Sequence, residues 1–199
     1  KIKGDKTSET QAVKDIAEGR ASKMLDAYNE RGLLTIAPDR EKAQQALISE
    51  WKKEGIEKPE DNLIITGTNK ETTILNRWAQ TLRQEDQKIG EQYLTNDGDK
   101  LHEGDRIIFT KNAAPRGIRN GSFGTIEKVN ESTNELTAHL DNGRSVQVCL
   151  DDYANIKLGY AVTTHKGQGM TGHNIYVLTD EAMQDRELSA VFLRGALQC

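Results

Sequence analysis

The stretch that most constrains this chain is residues 160–179, in which two apolar runs flank a polar, glycine-rich loop. Both runs, 160–164 and 175–178, are typical of β-strands. The loop between them, HKGQGMTG, is fixed by a strand at each end, and its glycines let the backbone approach a ligand closely. This arrangement predicts a loop that presents donors to a phosphate or to a nucleic-acid backbone.

Helix and strand signals alternate in the first half of the chain. One helix is expected over residues 8–32 and a second over 39–55, each with a polar start and a glycine at its end. The short apolar run 63–66 suits a strand that is buried on both faces, as in a parallel sheet. Asn69 is expected to cap a third helix, and a last helix is expected at 185–197. This alternation predicts an α/β fold.

The pattern changes after Gly90, where helical periodicity is replaced by turn signals such as Asp97-Gly98 and Asn142-Gly143. About five short strands joined by tight turns are expected there, which suggests a small β-barrel. We therefore predict three segments: an α/β first part at 1–92, a β-barrel insert at 93–157, and an α/β second part at 158–199.

Composition limits the classes of protein to consider. With 35% hydrophobic and 29% charged residues, and no apolar run near the length of a membrane span, the chain is expected to be soluble. The first residues, KIKGDK, do not resemble a signal peptide, and two cysteines make no disulfide framework, so a cytoplasmic location is expected. The net charge of −4 does not favour a protein that wraps duplex DNA, but it permits local basic patches.

Several kinds of site are disfavoured by the sequence. Gly167, Gly169 and Gly172 spell G-x-G-x-x-G, but a strand follows them where a dinucleotide site needs a helix. The P-loop pattern G-x-x-x-x-G-K-[ST] does not occur, so no complete ATP-phosphate site is expected. The four histidines are scattered without ligand spacing, so no metal site is expected. There is no G-x-S-x-G nucleophile motif.

A basic set within the expected barrel is a candidate for tracking phosphates. An ordinary solvated loop is the equally weighted alternative. The set consists of Lys111, Arg116, Arg119 and Lys128.

Four motifs together resemble the superfamily-1B DNA helicases of the RecD and TraA/TraI type, in the order in which that family has them, and the resemblance covers roughly residues 12–193. The first is VKDIAEGRASKMLDAYNERGLL at 13–34, which is similar to the segment after motif III, and the second is LIITGTN with the following Leu75-Asn76, which is similar to motif IVa. The third is GDRI with GIRNGSFGTI at 104–126, which is similar to the SH3-like subdomain 2B. The fourth is T-x-H-K-x-Q-G-x-T at 163–171, which is similar to motif V. The resemblance implies a RecA-like, P-loop NTPase-type domain 2A that lacks the P-loop half and carries an inserted SH3-like β-barrel, 2B.

The resemblance also implies roles for individual residues. Thr68 and Asn69 would touch the DNA backbone, and Thr163, Thr164 and His165 would contact single-stranded DNA. Residues on the nucleotide-facing side of the loop would couple the ATP state to the grip on DNA: Gln168, Gly169 and Thr171. Arg194 stands where the family has its arginine finger, although the serine that precedes this arginine in the family is absent here.

The function implied is that of the C-terminal part of an ATP-dependent 5′–3′ helicase, in a conjugative relaxase that nicks and unwinds plasmid DNA. ATP and magnesium would bind in the full-length enzyme, whereas this chain alone is expected to be inactive. Expected partners are single-stranded DNA, N-terminal RecA-like and relaxase domains of the same parent chain, and the conjugative secretion machinery. The alternatives are a non-catalytic single-strand-binding or recruitment module, and part of a RecD-like repair helicase. Sequence upstream of Lys1 would separate them.

Overall fold

The computed structural model describes residue 30 and residues 32–167, 172–179 and 190–197. These residues contain three α-helices, a short 3-10 helix at Ala114–Arg116 and twelve strands. The helices are α1 (Arg40–Gly55), α2 (Asn69–Glu85) and the single turn α3 (Thr164–Gly167). The strands are β1 (Leu34–Ala37), β2 (Asn62–Thr66), β3 (Tyr93–Asn96), β4 (Asp99–His102), β5 (Arg106–Phe109), β6 (Phe123–Asn130), β7 (Glu135–Leu140), β8 (Ser145–Cys149), β9 (Ile156–Leu158), β10 (Ala161–Thr163), β11 (Gly172–Thr179) and β12 (Ala190–Leu197).

The first sheet has the order β1-β12-β11-β2-β10. Its centre is parallel: β2 pairs in parallel with both β10 and β11, while β12 runs antiparallel to β11 and β1. All five residues of β2 are buried, as expected of a strand covered on both faces. The α/β fold class is therefore confirmed, and the parallel triplet fits a RecA-like domain.

Helices α1 and α2 pack on one face of this sheet. Asp39 caps α1 by accepting a hydrogen bond of 2.7 Å from the Lys42 amide, as the sequence predicts. Trp51 is fully buried, and its Nε1 donates to the Asn62 carbonyl at 2.9 Å, which ties α1 to β2. The prediction of Asn69 as the cap of α2 is wrong by one residue. Thr68 is the cap, because its backbone is extended and its hydroxyl accepts from the Glu71 amide.

The second region is antiparallel, with a five-stranded sheet in the order β8-β7-β6-β5-β9 and a separate β3-β4 hairpin. The predicted short strands and tight turns are confirmed, although this region has seven strands, β3 to β9, where about five were predicted. The SH3-like character of this region and the three segment boundaries stay predictions. Ile108 and Phe123 of this region pack with Leu63, Ile65 and Val162, on the opposite face of β2 from the helices. Residues of the two sheets thus pack together in this cluster.

The predicted helix at 185–197 is wrong over residues 190–197, which form β12. This segment lies between β1 and β11 and pairs with both, so non-local pairing overrides the helical preference of its sequence. The first predicted helix lies outside the described residues, except for residues 30 and 32. Of the helices that the structure describes, none combines the length and the apolar character needed to cross a membrane.

Candidate nucleic-acid interface

An open groove of about 500 Å³ lies where β10 ends and α2 begins. The groove is formed by residues of α2, β5, β9, β10, α3 and the β3-β4 hairpin. These residues are Asn69, Thr72, Thr73, Asn76, Arg77, Asp97, Asp99, Ile108, Lys157, Leu158, Ala161, Val162, Thr163 and Lys166. Ligands of parallel α/β sheets bind at the carboxyl ends of the strands, which is the end of β10 that this groove occupies.

The N-terminus of α2 supplies one wall. The hydroxyl of Thr68 accepts from the Glu71 amide at 3.3 Å and lies 3.0 Å from the Glu71 carboxylate, so Thr68 is occupied as a cap. Asn69 is exposed and lines the groove beside Thr73. Unpaired amides and the positive end of the helix dipole make such a terminus favourable for an anion.

The end of β10 supplies the facing wall. Thr163 lines the groove, and its backbone pairs with Thr66 of β2. The hydroxyl of Thr164 donates to the Thr66 carbonyl at 3.2 Å, so it fixes the turn that leads into α3. His165 belongs to that turn. The structure therefore brings Asn69 and Thr163, predicted from two different motifs, to the same groove.

Three of the four residues predicted to act on the nucleotide lie outside the part of the chain that the structure describes. These three are Gln168, Gly169 and Thr171. Arg194 lies in β12 with its backbone opposite Tyr176, and its predicted role as an arginine finger stays a prediction.

Asn76 holds the floor of the groove. Its Oδ1 accepts from the amides of Tyr160 and Ala161, both at 2.9 Å, and its Nδ2 donates to the Ala161 carbonyl at 2.9 Å. One side chain thus satisfies three backbone groups at the start of β10. The geometry of that strand depends on α2 through this residue.

Charged residues that line the groove were missed by sequence reasoning: Arg77, Asp97, Asp99, Lys157 and Lys166. A partial signal existed in α2, because Asn69, Thr73 and Arg77 recur every four residues and therefore share one face of a helix. Nothing in the sequence indicated that this face meets the β3-β4 turn.

The predicted basic loop lies elsewhere on the antiparallel region. Lys111, Arg116 and Arg119 are not among the described residues that line the groove. Arg116 approaches Asp152 at 3.4 Å, in an ion pair that is largely exposed. The loop is closed by a bridge between Ala113 and Ile118. Its proposed contact with phosphates stays a prediction.

A buried polar network joins α2 to the antiparallel region. Asp105 is fully buried and accepts from Tyr160 Oη at 2.6 Å and from Gln80 Nε2 at 2.6 Å. Burial raises the pKa of Asp105 above its ordinary value, although these hydrogen bonds act in the opposite direction. Arg83 donates to the Gly104 carbonyl at 2.7 Å and to Tyr160 Oη at 3.1 Å.

No group of histidine, cysteine, aspartate and glutamate residues that could hold a metal ion occurs within the part of the chain that the structure describes. The polar groups that line the groove are hydroxyls, amides, basic side chains and the carboxylates of Asp97 and Asp99.

No protein-family model matches the chain. Among known proteins, it is 31% identical over 185 residues to the conjugal transfer protein TraA of Agrobacterium fabrum, which covers 91% of this chain and 17% of TraA. It is 32% identical over 189 residues to TraA of Rhizobium radiobacter, with the same shares of 91% and 17%. The chain thus spans about one sixth of the length of these relatives.

Solved structures give partial matches. The Bacteroides Pif1 structure bound to ssDNA is similar with a TM-score of 0.43 and 22% identity, over 65% of this chain and 37% of that one. The Pif1 complex with ADP-AlF3 and ssDNA gives a TM-score of 0.43 and 21% identity over the same shares. Over nine-tenths of its length, this chain is similar to one segment of the TraA conjugal transfer proteins, which confirms the resemblance to that family predicted from the sequence.

Proposed function

We propose that this chain is the part of a TraA-like conjugative relaxase–helicase that holds single-stranded DNA in the groove between α2 and β10. The observation that carries the proposal is the convergence of Asn69 and Thr163 on one groove together with three basic side chains, Arg77, Lys157 and Lys166. A strand of phosphates needs such a row of neutral donors and cations. The similarity to TraA over nine-tenths of the chain supports the same assignment.

The groove suits a backbone contact better than a base-specific one. The hydroxyls of Thr72 and Thr73 donate to the carbonyls of Thr68 and Asn69, at 2.9 and 3.1 Å. Thr163 offers a short hydroxyl, and Asn69 offers an amide next to a helix N-terminus. These groups donate to phosphate oxygens without requiring a particular base. Binding in the groove is therefore expected to be weakly dependent on sequence and strongly dependent on salt.

The parent enzyme, in this proposal, is an ATP-dependent 5′–3′ DNA helicase that acts in plasmid transfer in the cytoplasm. ATP and magnesium would be held mainly by an N-terminal RecA-like half of the same parent chain, with Gln168, Gly169 and Thr171 coupling the nucleotide to the DNA grip and Arg194 facing the γ-phosphate. Residues 1–92 and 158–199 would form domain 2A, and residues 93–157 the SH3-like insert. A relaxase domain and the conjugative secretion machinery are further proposed partners.

This chain by itself would not hydrolyse ATP, because the P-loop pattern does not occur in its sequence. The purified chain is therefore expected to show no ATPase activity that single-stranded DNA stimulates. Such activity, measured by phosphate release, would contradict this part of the proposal. A helicase and a non-catalytic single-strand-binding module would both bind DNA, so DNA binding does not distinguish them. ATP hydrolysis by the full-length parent is expected of the helicase alone.

Titration of a labelled oligonucleotide tests the groove directly. Lys166→Gln is expected to weaken binding. It is also expected to make the negative slope of log affinity against log salt shallower by about 0.7, the change for one lost phosphate contact to single-stranded DNA. Asn69→Ala is expected to weaken binding with little change of this slope, because it removes a neutral donor. The matched control is Lys52→Gln, an exposed lysine on α1 outside the groove. Equal effects of Lys166→Gln and Lys52→Gln would place the DNA elsewhere.

A further inference from the structure

The turn of the β3-β4 hairpin places two carboxylates on the rim of the groove. Asp97 and Gly98 both have positive φ, at 50° and 81°, which is the geometry of a tight hairpin turn. Asp97 and Asp99 both line the groove. Carboxylates repel a phosphate backbone unless basic side chains neutralise their charge.

Each carboxylate is paired with a basic side chain of the groove. Asp99 Oδ1 accepts from Arg77 Nε at 3.1 Å and from Arg77 Nη2 at 3.0 Å. Asp97 Oδ2 lies 3.5 Å from Lys157 Nζ. Of the three basic side chains that line the described groove, Lys166 alone makes no ion pair with a described residue. Two of the three cations are therefore paired with carboxylates that line the same groove.

The hairpin is anchored on both sides. Asn96 is buried, and its Nδ2 donates to the carbonyls of Ala154 at 3.0 Å and Ile156 at 2.7 Å, next to Lys157 in the chain. On the other side, Gln80 of α2 donates to the Lys100 carbonyl at 2.7 Å. The hairpin that carries the two carboxylates is thus anchored by contacts that do not involve the ion pairs.

Both ion pairs are open to solvent, and in the pair of Lys157 with Asp97 the carboxylate is itself 73% exposed. The side chain of Arg77 is 58% exposed and that of Lys157 is 56% exposed, whereas Asp99 is 22% exposed. Ion pairs with such exposure are weak, because water and salt screen them and long side chains lose freedom when they are fixed. A phosphate can therefore take either cation from its carboxylate at little cost.

We propose that Asp97 and Asp99 form an acidic tip that competes with DNA phosphates for Lys157 and Arg77 and so limits how tightly the groove holds a strand. The proposal rests on the proposed function, since it concerns the same groove. A site that moves along a strand needs contacts that break as readily as they form. A carboxylate within reach gives each cation a replacement partner when its phosphate leaves.

The test is a double-mutant cycle measured as affinity for a labelled single-stranded oligonucleotide. Asp99→Asn is expected to tighten binding about twofold to fivefold, the range that corresponds to the release of an exposed ion pair. In the Arg77→Gln background the same change is expected to have no effect beyond that of the control. Glu131→Gln is that control, because it removes one negative charge from an exposed turn outside the groove. Asp97→Asn with Lys157→Gln forms a second cycle.

The outcomes separate the two proposals. If the unmodified chain binds no oligonucleotide, the proposed function fails and the acidic tip fails with it. If the chain binds, but Asp99→Asn changes affinity no more than Glu131→Gln, the groove stands and the acidic tip is wrong. If Asp99→Asn tightens binding equally with and without Arg77, the effect is general repulsion and competition for Arg77 is wrong.

Discussion

The hydroxyl of Tyr160 donates a hydrogen bond of 2.6 Å to the carboxylate of Asp105, and both side chains are fully buried. Tyr160 immediately precedes β10, which lines the groove, while Asp105 belongs to the antiparallel region. Arg83 of α2 donates to the same hydroxyl at 3.1 Å. This contact therefore joins three parts of the fold, and it fixes the groove wall relative to the hairpin that carries the acidic tip.

Tyr160→Phe is expected to lower the free energy of unfolding by about 2 kcal/mol, because it removes a hydrogen bond to a charged group and leaves buried partners unsatisfied. Urea denaturation measures this loss. Tyr153→Phe is the matched control: Tyr153 is also buried, but its hydroxyl donates to a neutral acceptor, the Lys111 carbonyl. That change is expected to cost about 1 kcal/mol. Equal losses would show that the bond to Asp105 carries no extra strength from charge.

The pH dependence of stability is expected to report on Asp105. Burial raises the pKa of Asp105 in the folded protein above its ordinary value of 3.8, so the folded state binds this proton more readily than the unfolded state. The stabilisation from this group is therefore complete below pH 3.8 and is lost as the pH rises through the folded pKa. Asp105→Asn removes this titration and leaves other groups in place.

The measurement is the difference in the free energy of unfolding between the unmodified chain and Asp105→Asn over a series of pH values. The difference is expected to decrease as the pH rises from about 4 toward neutrality, with a slope of at most about 1.4 kcal/mol per pH unit for one proton. A difference that increases with pH would show that the hydrogen bonds of Asp105 outweigh its burial.

A side chain at Gly104 is expected to destabilise the fold more than one at a glycine of similar φ with open space around it. Its φ is +86°, and a Cβ there would lie 2.6 Å from the Lys88 carbonyl oxygen. Gly143 has a similar φ of +82°, but a Cβ there would meet no atom within 4 Å. Gly143→Ala is expected to cost about 1–2 kcal/mol from backbone strain alone. Gly104→Ala is expected to cost about 2 kcal/mol more, since Lys88 must move. Thermal or urea unfolding of both variants compares the two, and equal losses would contradict the steric argument.

Local signals in the sequence were sufficient for the elements that are specified locally. Helix α1 begins at a polar cap, and β2 is a short β-branched run, so both were predicted correctly. The cap of α2 was misplaced by one residue because Thr68 and Asn69 are both good capping residues. Strand β12 was missed because its pairing with β1 and β11 is non-local and leaves no periodic signal.

The candidate site was predictable only as far as the motifs extend. Asn69 and Thr163 were chosen from two motifs, and the parallel pairing of β2 with β10 brings those motifs to one groove. The ion pair of Arg77 with Asp99 was not predictable, because it depends on where the β3-β4 turn docks. That docking is determined by Asn96 and Gln80, whose polar side chains bond to distant backbone groups.

The basic loop provides a last prediction, which separates it from the groove as a DNA contact. Lys111 and Arg119 are exposed, and Arg116 is weakly paired with Asp152, so each could accept a phosphate with little rearrangement. If the loop extends the DNA path, Arg116→Ala/Arg119→Ala makes the negative slope of log affinity against log salt shallower by about 1.4, the value for two lost phosphate contacts. When this double variant is combined with Lys166→Gln, the two changes in slope should add, because the two surfaces share no residue.

Oligonucleotides short enough to fill only the groove should bind with an affinity that no longer depends on the loop but still depends on Lys166. Unchanged affinity for long and short oligonucleotides alike would make the loop an ordinary solvated turn.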